Sequence, residues 1–327
     1  FPWGNRPWPY HAYMGSSLPV KGYDMDFENF VGPAGDYAKP LALQRGGCTN
    51  SVVRGNNMVG VLQHELALDG GEEKHFSIVM GVAENEDEAK GCLEKYREWT
   101  TCENALRAIK RKWRALVDRV MIETPDPELN EFFNTWLKYQ VAMNNHWGGS
   151  ATYYHEGHGE FGYRNTAQDA WAFLPLDSDF ARERMLRLAM HQRNTGQPMA
   201  GWSYVSGTNE GRAPADFPVW LPLLVNAYVK ETGDFRILES RIPYYDGGSD
   251  TLYDHVRKAM QFLQDRAKSE RGLPLMGTQD WNDAFDRTGI GGKGESVWLG
   301  MGLCFGLKLL EELADFVAGL GFDGVEL

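Results

Sequence analysis

The pattern of hydrophobic and polar positions changes near residue 85. Before it, the stretches SVVRGNNMVGVLQHELAL and KHFSIVMGVA are apolar and are bounded by Asn- and Gly-rich turn signals, which predicts strands. We interpret residues 1–85 as the C-terminal part of a β-sandwich. After it, NEDEAKGCLEKYREWTTCENALRAIKRKWRALVDRV is charged and amphipathic, which predicts a linker of one or two helices over residues 86–122.

Helical patterning continues through residues 123–327. Asp126 suits a helix N-cap with Pro127 at the first helical position. Further helices are predicted in DFARERMLRLAMHQRNTG, FPVWLPLLVNAYVKETG, TLYDHVRKAMQFLQDRAKSERG and ESVWLGMGLCFGLKLLEELADFV. Three glycines suit C-terminal caps of these helices: Gly196, Gly233 and Gly272. Long loops rich in Gly, aromatic and acidic residues join the helices, so we predict a mainly α fold, an α/α-toroid with functional loops at one end.

Charge narrows the class of partner. The 45 acidic residues outnumber the 33 basic ones, and the formal net charge of −12 disfavours nucleic acid and anionic membranes, because both attract clustered Lys and Arg. No apolar run approaches the ~20 residues that span a bilayer. The first residues, FPWGNRPWPY, lack the pattern of a signal peptide, so we expect a cytoplasmic location.

Metal-binding and disulfide patterns are weak. The four cysteines (Cys48, Cys92, Cys102 and Cys304) contain no CxxC pair, which favours reduced thiols over a zinc site or a disulfide framework. His155 and His158 lie in YYHEGHGEFGY, where the glycines favour a loop rather than a metal-binding helix. We therefore expect no metal, and a structural or substrate-contact role for the two histidines.

Aromatic residues make up 13% of the chain and include 11 Trp, although the chain is acidic. The flat apolar face of an indole packs against the C–H face of a pyranose ring, and carboxylates accept hydrogen bonds from sugar hydroxyls. The combination suits a sugar-binding cleft. A Trp-rich core would give the same composition, so both interpretations stay open at this point.

The densest candidate site is GTQDWNDAFDRTGIGGKGESVW, residues 277–298. Asp280, Asp283 and Asp286 surround Trp281. Crowding and burial beside an indole disfavour ionised carboxylates, which would keep one of them protonated as a general acid for a glycosidic oxygen. The alternative is a turn rich in Asp and Asn with Trp281 anchored in a core. The GGKGES segment, with Lys293, adds N–H groups that suit an anion, although the ending of a Walker loop is absent.

Two further loops carry polar and aromatic residues into helices. In GEFGYRNTAQDAW, Arg164 and Asp169 flank Gln168 and could bracket the hydroxyls of one ring, or could form a structural Arg–Asp pair. The segment MAGWSYVSGTNEGRAPADFPVWLP carries four more candidates: Trp202, Glu210, Arg212 and Asp216. Three such loops in one region predict a cleft, with Gln168, Asp280 and Trp202 among its substrate contacts.

Several motifs resemble glycoside hydrolase family 94. They are YRNTAQDAW, MHQ, VWLPLLVNAYVKETGD, IPYYDGG and above all DWNDAFDRTGIGGKGESVW, in order from about residue 30 to near the C-terminus. The resemblance implies an inverting phosphorylase of β-linked glucosides. It also implies an N-terminal β-sandwich, a helical linker, an (α/α)6 barrel that holds the active site, and homodimers.

By this resemblance Asp283 is the general acid, and Trp281 with Arg164 and Asp169 lines the subsite of the transferred glucosyl ring. Inorganic phosphate is the co-substrate and nucleophile, no cofactor is needed, and the products are α-glucose 1-phosphate and a shortened sugar. The KETGD and YYDGG stretches resemble the cellobiose and cellodextrin branch, which makes those sugars the first expectation.

Two departures and two rival functions accompany the resemblance. Family members carry Arg-Asp where this chain has Arg164-Asn165, and their phosphate-contacting His and Thr segment has no counterpart before Leu327, which predicts a partial chain or one completed by another polypeptide. One rival is an inverting hydrolase, which needs a second carboxylate to activate water; the candidates are Glu210, Asp216 and Glu295. The other is a non-catalytic carbohydrate-binding part of a larger glucan-processing protein.

Overall fold

The structure of the protein is a computed structural model. Helices dominate its described part. That part comprises residues 10–53, 57–147, 160–203, 207–211, 213–285 and 287–319. The chain divides into two compact units, Phe1–Trp113 and Arg114–Leu327. The first unit combines short strands with helices, and the second is largely helical.

The strands of the first unit form two antiparallel pairs. They are β1 (His11–Ser16), β2 (Gly22–Asp26), β3 (Met58–Gln63) and β4 (Ile78–Ala83). β1 pairs with β4, and β2 pairs with β3 with a register shift between Asp24 and Asp26. The strands predicted in SVVRGNNMVGVLQHELAL and KHFSIVMGVA are confirmed as β3 and β4.

Four helices begin in the described residues of the first unit. They are α1 (Phe27–Val31), α2 (Leu41–Arg45), α3 (Glu86–Lys95) and α4 (Trp99–Val117). The side chain of Asn85 caps α3 by accepting a hydrogen bond from the Glu88 amide at 2.9 Å. α3 and α4 occupy most of residues 86–122, and the boundary between the two units falls inside α4.

A buried carboxylate of β2, Asp24, binds a segment that lies before β3 in the chain. Its Oδ1 accepts hydrogen bonds from the amides and hydroxyls of Thr49 and Ser51 at 2.8–3.1 Å. The guanidinium of Arg45 lies 3.5 Å from Oδ2. Burial works against the charge of Asp24, but the hydrogen bonds from Ser51 and Thr49 outweigh it and lower the pKa. Asp24 thereby ties segment 49–51 to β2.

The second unit is built from longer helices and short strands. The helices are α5 (Pro127–Glu131), α6 (Lys138–Trp147), α7 (Tyr163–Phe173), α8 (Ser178–Met190), α9 (Phe217–Thr232), α10 (Leu252–Gln264) and α11 (Val297–Gly319). A π turn, Phe132–Leu137, joins α5 to α6. The strands are β5 (Glu160–Gly162), β6 (Gly201–Ser203) and β7 (Gly207–Asn209), which form one antiparallel sheet, and the paired strands β8 (Arg241–Pro243) and β9 (Ser249–Thr251).

The helix ends test the predicted caps. Asp126 accepts hydrogen bonds from the amides of Glu128 and Leu129 at 2.9 and 3.1 Å, so the predicted N-cap is confirmed. Gly233 closes α9 in the left-handed conformation, with φ of 70°. Gly196 and Gly272 do not close helices, because α8 ends at Met190 and α10 at Gln264. Gly196 is required elsewhere, since a Cβ there would lie 2.0 Å from the carbonyl oxygen of Lys258.

Alternate helices of the second unit pack as neighbours. α9 contacts α7 on one side and α11 on the other, while α8 packs on α7 and α9, and α10 packs on α9 and α11. Fully buried side chains from successive helices fill the space between them: Tyr163, Met185, Leu221, Val256 and Leu299. No helix in the described residues combines the length and apolarity needed to cross a bilayer.

Candidate active site

The N-terminal ends of α7, α9 and α11 meet at one place. Arg164 lies in the first turn of α7, Asp216 immediately precedes α9, and the segment from Gln279 to Ser296 leads into α11. The amide of Ala215 donates to the carbonyl of Gln279 at 2.9 Å, which joins the last two segments. Because helix N-termini carry partial positive charge, this end suits groups with negative charge.

Arg164 connects all three segments. Its Nη2 donates to both oxygens of Asp283, at 2.8 and 2.9 Å, while Nη1 donates to Asp216 Oδ2 and to the carbonyl of Trp281, each at 3.2 Å. The side chain of Asp283 is 64% exposed, whereas that of Arg164 is 12% exposed and that of Asp216 is fully buried. The predicted general acid is therefore open to solvent and ion-paired, rather than buried beside an indole.

Asp216 is the buried carboxylate of this network. Its Oδ2 also accepts from the indole N–H of Trp220 at 2.8 Å, but its buried Oδ1 has no hydrogen-bond partner among the described residues. Burial raises the pKa of Asp216, against the lowering effects of Trp220 and Arg164. Burial also opposes the charge of Arg164, but the bonds and charges of Asp283 and Asp216 outweigh it and raise the pKa of Arg164.

Three indoles, which we call the indole stack, run from the surface back to Asp216. Trp281 is 50% exposed, and its ring lies 6.1 Å from that of Trp298 at an angle of 15°. Trp298 in turn lies 6.2 Å from Trp220, whose N–H donates to Asp216. Because half of Trp281 is exposed, it is not the fully buried core anchor of the alternative interpretation.

Asp280 fixes the Asp283 segment to α11. It is buried, and its Oδ2 accepts from the hydroxyl of Ser296 at 2.5 Å while its Oδ1 accepts from the amide of Asn282 at 2.9 Å. The Ser296 hydroxyl also accepts from the amide of Leu299 at 3.1 Å, at the start of α11. This placement favours a positioning role for Asp280 over the predicted sugar contact.

The structure does not bring Asp169 to Arg164, whose ion-pair partners are Asp216 and Asp283. Residues five apart on an α-helix point about 140° away from each other, so the two side chains leave α7 in different directions. Asp169 lines a small cavity with Thr166 and Arg184, and burial raises its pKa to about 6. The side chain of Gln168, between the two, is half-buried.

Trp202 lies in the core rather than in the cleft. It is only 2% exposed, and its ring stacks on His191 at 4.4 Å and on Phe161 at 5.9 Å between centroids. The reason is its place on β6, the central strand of the three-stranded sheet. This burial leaves the indole no free face for a sugar.

The remaining sequence candidates lie outside the Asp283 network. Glu210 accepts from Arg193 at 3.2 Å and from Tyr245 at 2.9 Å. Glu295 pairs with Arg271 at 2.8 Å, and both line a cavity of about 600 Å³ together with Lys293. Four candidates lie outside the described residues: His155, His158, Arg212 and Asp286. Among the residues that the structure describes, no three His, Cys, Asp or Glu side chains are grouped as metal ligands.

Known proteins match most of the chain. A solabiose phosphorylase from Paenibacillus borealis is 32% identical over 305 residues, covering 93% of this chain and 38% of that protein. An N,N'-diacetylchitobiose phosphorylase from Vibrio proteolyticus is 27% identical, covering 93% and 40%. The cyclic beta-(1,2)-glucan synthase NdvB from Rhizobium meliloti (strain 1021) is 30% identical, covering 88% and 11%. The chain thus spans about two fifths of the matched phosphorylases' length.

Family models account for both units. Residues 2–99 match the glycosyl hydrolase 94 supersandwich domain. Residues 112–318, well over half of the chain, match the catalytic domain of the glycosyl hydrolase 94 superfamily. The catalytic match contains Arg164, Asp216 and the Asp283 segment, so the network described above lies inside it. The chain therefore belongs to the glycosyl hydrolase 94 family.

Proposed function

We propose that this chain carries the acid-donating and glucosyl-binding part of an inverting glycoside phosphorylase. The observation that carries the proposal is the exposed carboxylate of Asp283, held by Arg164 beside the half-exposed ring of Trp281. Family membership and the names of the matched phosphorylases support the reaction class. Arg164 and Trp281 are the proposed sugar contacts. Asp169 and Gln168, which lie on α7 with Arg164, are proposed as further substrate-binding residues.

In the proposed reaction Asp283 donates its proton to the bridging oxygen as the bond from that oxygen to the anomeric carbon breaks. An oxygen of inorganic phosphate forms the new bond from the opposite face, which inverts the configuration and gives α-glucose 1-phosphate and a shortened sugar. The nucleophile is already anionic, so no carboxylate has to deprotonate water, and no cofactor beyond the co-substrate is needed.

The contacts of the candidate bases favour phosphorolysis over hydrolysis. Asp216 is fully buried, and its Oδ2 accepts from Arg164 and Trp220, so its carboxylate is not exposed to a water molecule that it could activate against a sugar. Glu210 and Glu295 are each ion-paired to an arginine in other surroundings. An inverting hydrolase needs such a base across the ring from the acid.

The substrate is proposed to be a β-linked gluco-oligosaccharide, bound with one ring against Trp281. Cellobiose and cellodextrins remain the first expectation. The matched relatives are named for solabiose and N,N'-diacetylchitobiose, so the names of relatives do not select a substrate for this chain, and its substrate has to be measured.

We further propose that α7, α9 and α11 form an arc of the inner layer of an (α/α)6 barrel, with α8 and α10 in the outer layer. Their alternate packing supports this, because neighbours in each layer of such a barrel are separated in the chain by one helix. A homodimer, a cytoplasmic location, and completion of the barrel by further polypeptide accompany the proposal as predictions from the resemblance.

The test offers this protein cellobiose, cellodextrins, solabiose and N,N'-diacetylchitobiose with and without inorganic phosphate. It measures the sugar 1-phosphate formed, which is glucose 1-phosphate from the glucosides and N-acetylglucosamine 1-phosphate from N,N'-diacetylchitobiose, and the reducing sugar released. We expect glucose 1-phosphate only with phosphate, and its loss in Asp283→Asn. The control Asp179→Asn removes an exposed carboxylate from α8 and should leave the rate unchanged. Reducing sugar released without phosphate would establish a hydrolase, and binding without turnover by either route would favour a non-catalytic binding part.

A further inference from the structure

We infer that Asp216 is a second acceptor for Arg164, and that Arg164 moves both of its terminal nitrogens onto Asp216 when a sugar ring enters the site. The exchange frees Asp283 to carry the proton that it donates. Asp216 is then a positioning residue, which acts on the reaction through Arg164. The inference rests on the proposed function in taking Asp283 as the general acid.

The first observation concerns the hydrogens around Asp283. Arg164 Nη2 lies 2.8 and 2.9 Å from its two oxygens, and Gln279 Nε2 lies 3.4 Å from Oδ1. A guanidinium has only donors, whereas a general acid must carry a hydrogen on one carboxyl oxygen. A guanidinium N–H bonds an ionised carboxylate about twice as strongly as a neutral carboxyl, so Arg164 Nη2 in this position favours the charged form over the protonated form that a general acid needs. Departure of Arg164 Nη2 therefore favours the form of Asp283 that can donate a proton.

Asp216 offers Arg164 Nη2 an alternative acceptor. Asp216 is fully buried, and its Oδ1 has no hydrogen-bond partner among the described residues. A buried carboxylate oxygen without a donor is unfavourable, because it has lost water and gained nothing in return. Arg164 Nη1 already donates to the other oxygen of Asp216 at 3.2 Å. A small rotation of the planar guanidinium would convert this single bond into a two-bond pair with the same residue.

The charges around the site agree with such an exchange. Arg164 now lies between two carboxylates, one exposed and one buried. After the exchange the buried carboxylate and Arg164 form a neutral pair, and Asp283 keeps no cationic contact among the described residues. Asp280 does not interfere, since Ser296 and the amide of Asn282 occupy its oxygens. Trp220 holds Asp216 in place throughout through its N–H bond to Oδ2.

The first test needs no sugar. Crystal structures of Asp283→Ala should show Arg164 Nη2 within hydrogen-bonding distance of Asp216 Oδ1, because the competing acceptor is gone. The matched control is Gln279→Leu, which removes the other neighbour of Asp283 and should leave Arg164 where it is. An Arg164 side chain that turns to solvent or stays on the Trp281 carbonyl alone in Asp283→Ala would overturn the inference.

The second test measures protons. Methyl β-D-glucoside is titrated into the protein by calorimetry in two buffers of different ionisation enthalpy at mildly acidic pH. We expect net proton uptake in the unchanged protein. In Asp216→Asn we expect affinity weaker by about tenfold and loss of the uptake, since a neutral amide binds the guanidinium poorly. Asp179→Asn, which removes an exposed carboxylate from α8, should retain the uptake.

Equal proton uptake in the unchanged protein and in Asp216→Asn would refute the role of Asp216. A variant that is only less stable, but still folded, should take up as many protons on binding as the unchanged protein. If the glucoside does not bind, the proposed sugar site fails, while the Asp283→Ala structure still decides whether Asp216 can accept Arg164. The two failures are therefore distinguishable.

Discussion

At the level of single residues, Asp169 is a carboxyl whose environment opposes its charge. It lines a small cavity on α7 with Thr166 and the buried Arg184, and burial raises its pKa to about 6 from an ordinary 3.8. Residues that weaken a fold in this way are often retained for binding or catalysis. We therefore expect a substitution that removes the charge of Asp169 to increase the stability of the fold and to weaken binding.

We predict that Asp169→Asn stabilises the protein at about pH 8 and has no such effect at about pH 4. In the folded protein the pKa of Asp169 is about 6, whereas its ordinary value, which applies to the unfolded chain, is 3.8. The charge of Asp169 therefore destabilises the fold fully above about pH 6, and this destabilisation disappears as the pH falls to 3.8. Urea unfolding at both pH values measures it. Asp179→Asn, which removes an exposed carboxylate, is the control. A less stable Asp169→Asn at high pH would instead indicate a structural carboxylate.

A second prediction concerns the middle ring of the indole stack. Trp298→Leu should reduce stability by about 2–4 kcal/mol, because it removes contacts with rings on both sides. It should also weaken sugar binding, since Trp281 loses the ring that fixes its angle. Trp171→Leu, on an exposed part of α7, serves as the control for both measurements. Sugar affinity that is unchanged in Trp298→Leu would contradict a role for the stack in binding.

Residue types singled out the aspartates around Trp281 and, separately, Arg164, and the family resemblance selected Asp283 among the aspartates. The structure brings Asp283, Arg164 and the Trp281 carbonyl together. The sequence did not show that Asp216 joins the same network through Arg164, because its value as an acceptor depends on burial. Trp202 illustrates the opposite difficulty. Its loop neighbours suggested an exposed contact, but the strand pairing that buries it is formed by residues distant in the chain.

At the level of elements, the start of α11 and the Asp283 segment are held by one hydroxyl. Ser296 donates to Asp280 and accepts from the amide of Leu299, so the helix cap and the loop anchor are the same group. The position of Asp283 is thereby coupled to the first turn of α11. The coupling uses short side chains and leaves little freedom for the segment to shift along the helix.

We predict that Ser296→Ala lowers stability by about 3 kcal/mol, since it removes a cap and leaves buried Asp280 without its hydroxyl donor. It should also slow any turnover that depends on Asp283. The control Thr251→Ala removes the N-cap of α10 and should lower stability by about 1 kcal/mol without changing turnover. Urea unfolding and the glucose 1-phosphate assay read the two effects. A Ser296→Ala protein with undiminished turnover would contradict the coupling.

Among the elements, long periodic helices were predicted well and their ends less so. α9 and α11 carry strong apolar patterns and were found, with Gly233 as a cap. α7 was not predicted as a separate helix, because no side chain caps it at Gly162 and three of its six apolar residues are alanines. The glycines at 196 and 272 follow polar stretches that look helical but form turns.

At the level of the whole molecule, the two units bury very different amounts of apolar surface. In the described residues of the first unit the buried apolar side chains are few and small: Val31, Ala42, Ala83 and Ala89. Strand β4 even exposes Ile78, Met80 and Val82 on one face. The second unit has one large cluster that joins α7 to α11. The sequence predicted a β-sandwich for the first unit, and no pattern within it revealed how thin its core is.

We predict that amides of β1–β4 exchange with deuterium faster than those of α7–α11, because local opening is governed by buried apolar contacts. Mass spectrometry of peptides from the two units measures this. Replacement of Asp24 by Ala should raise the exchange rate further in segment 49–51, because the amides of Thr49 and Ser51 lose the carboxylate to which they donate hydrogen bonds. Equal protection of both units would show that the first is stabilised by something other than its own core.

The indole stack has a further consequence, for spectroscopy. Because neighbouring rings lie 6.1 and 6.2 Å apart, we expect their excited states to couple and to contribute a signal from the candidate site to the near-ultraviolet circular dichroism. Trp281 is 50% exposed and Trp220 is buried, so we expect a sugar that covers Trp281 to change the emission of the stack. The site thus carries its own optical probe, and ligands can be followed without a label.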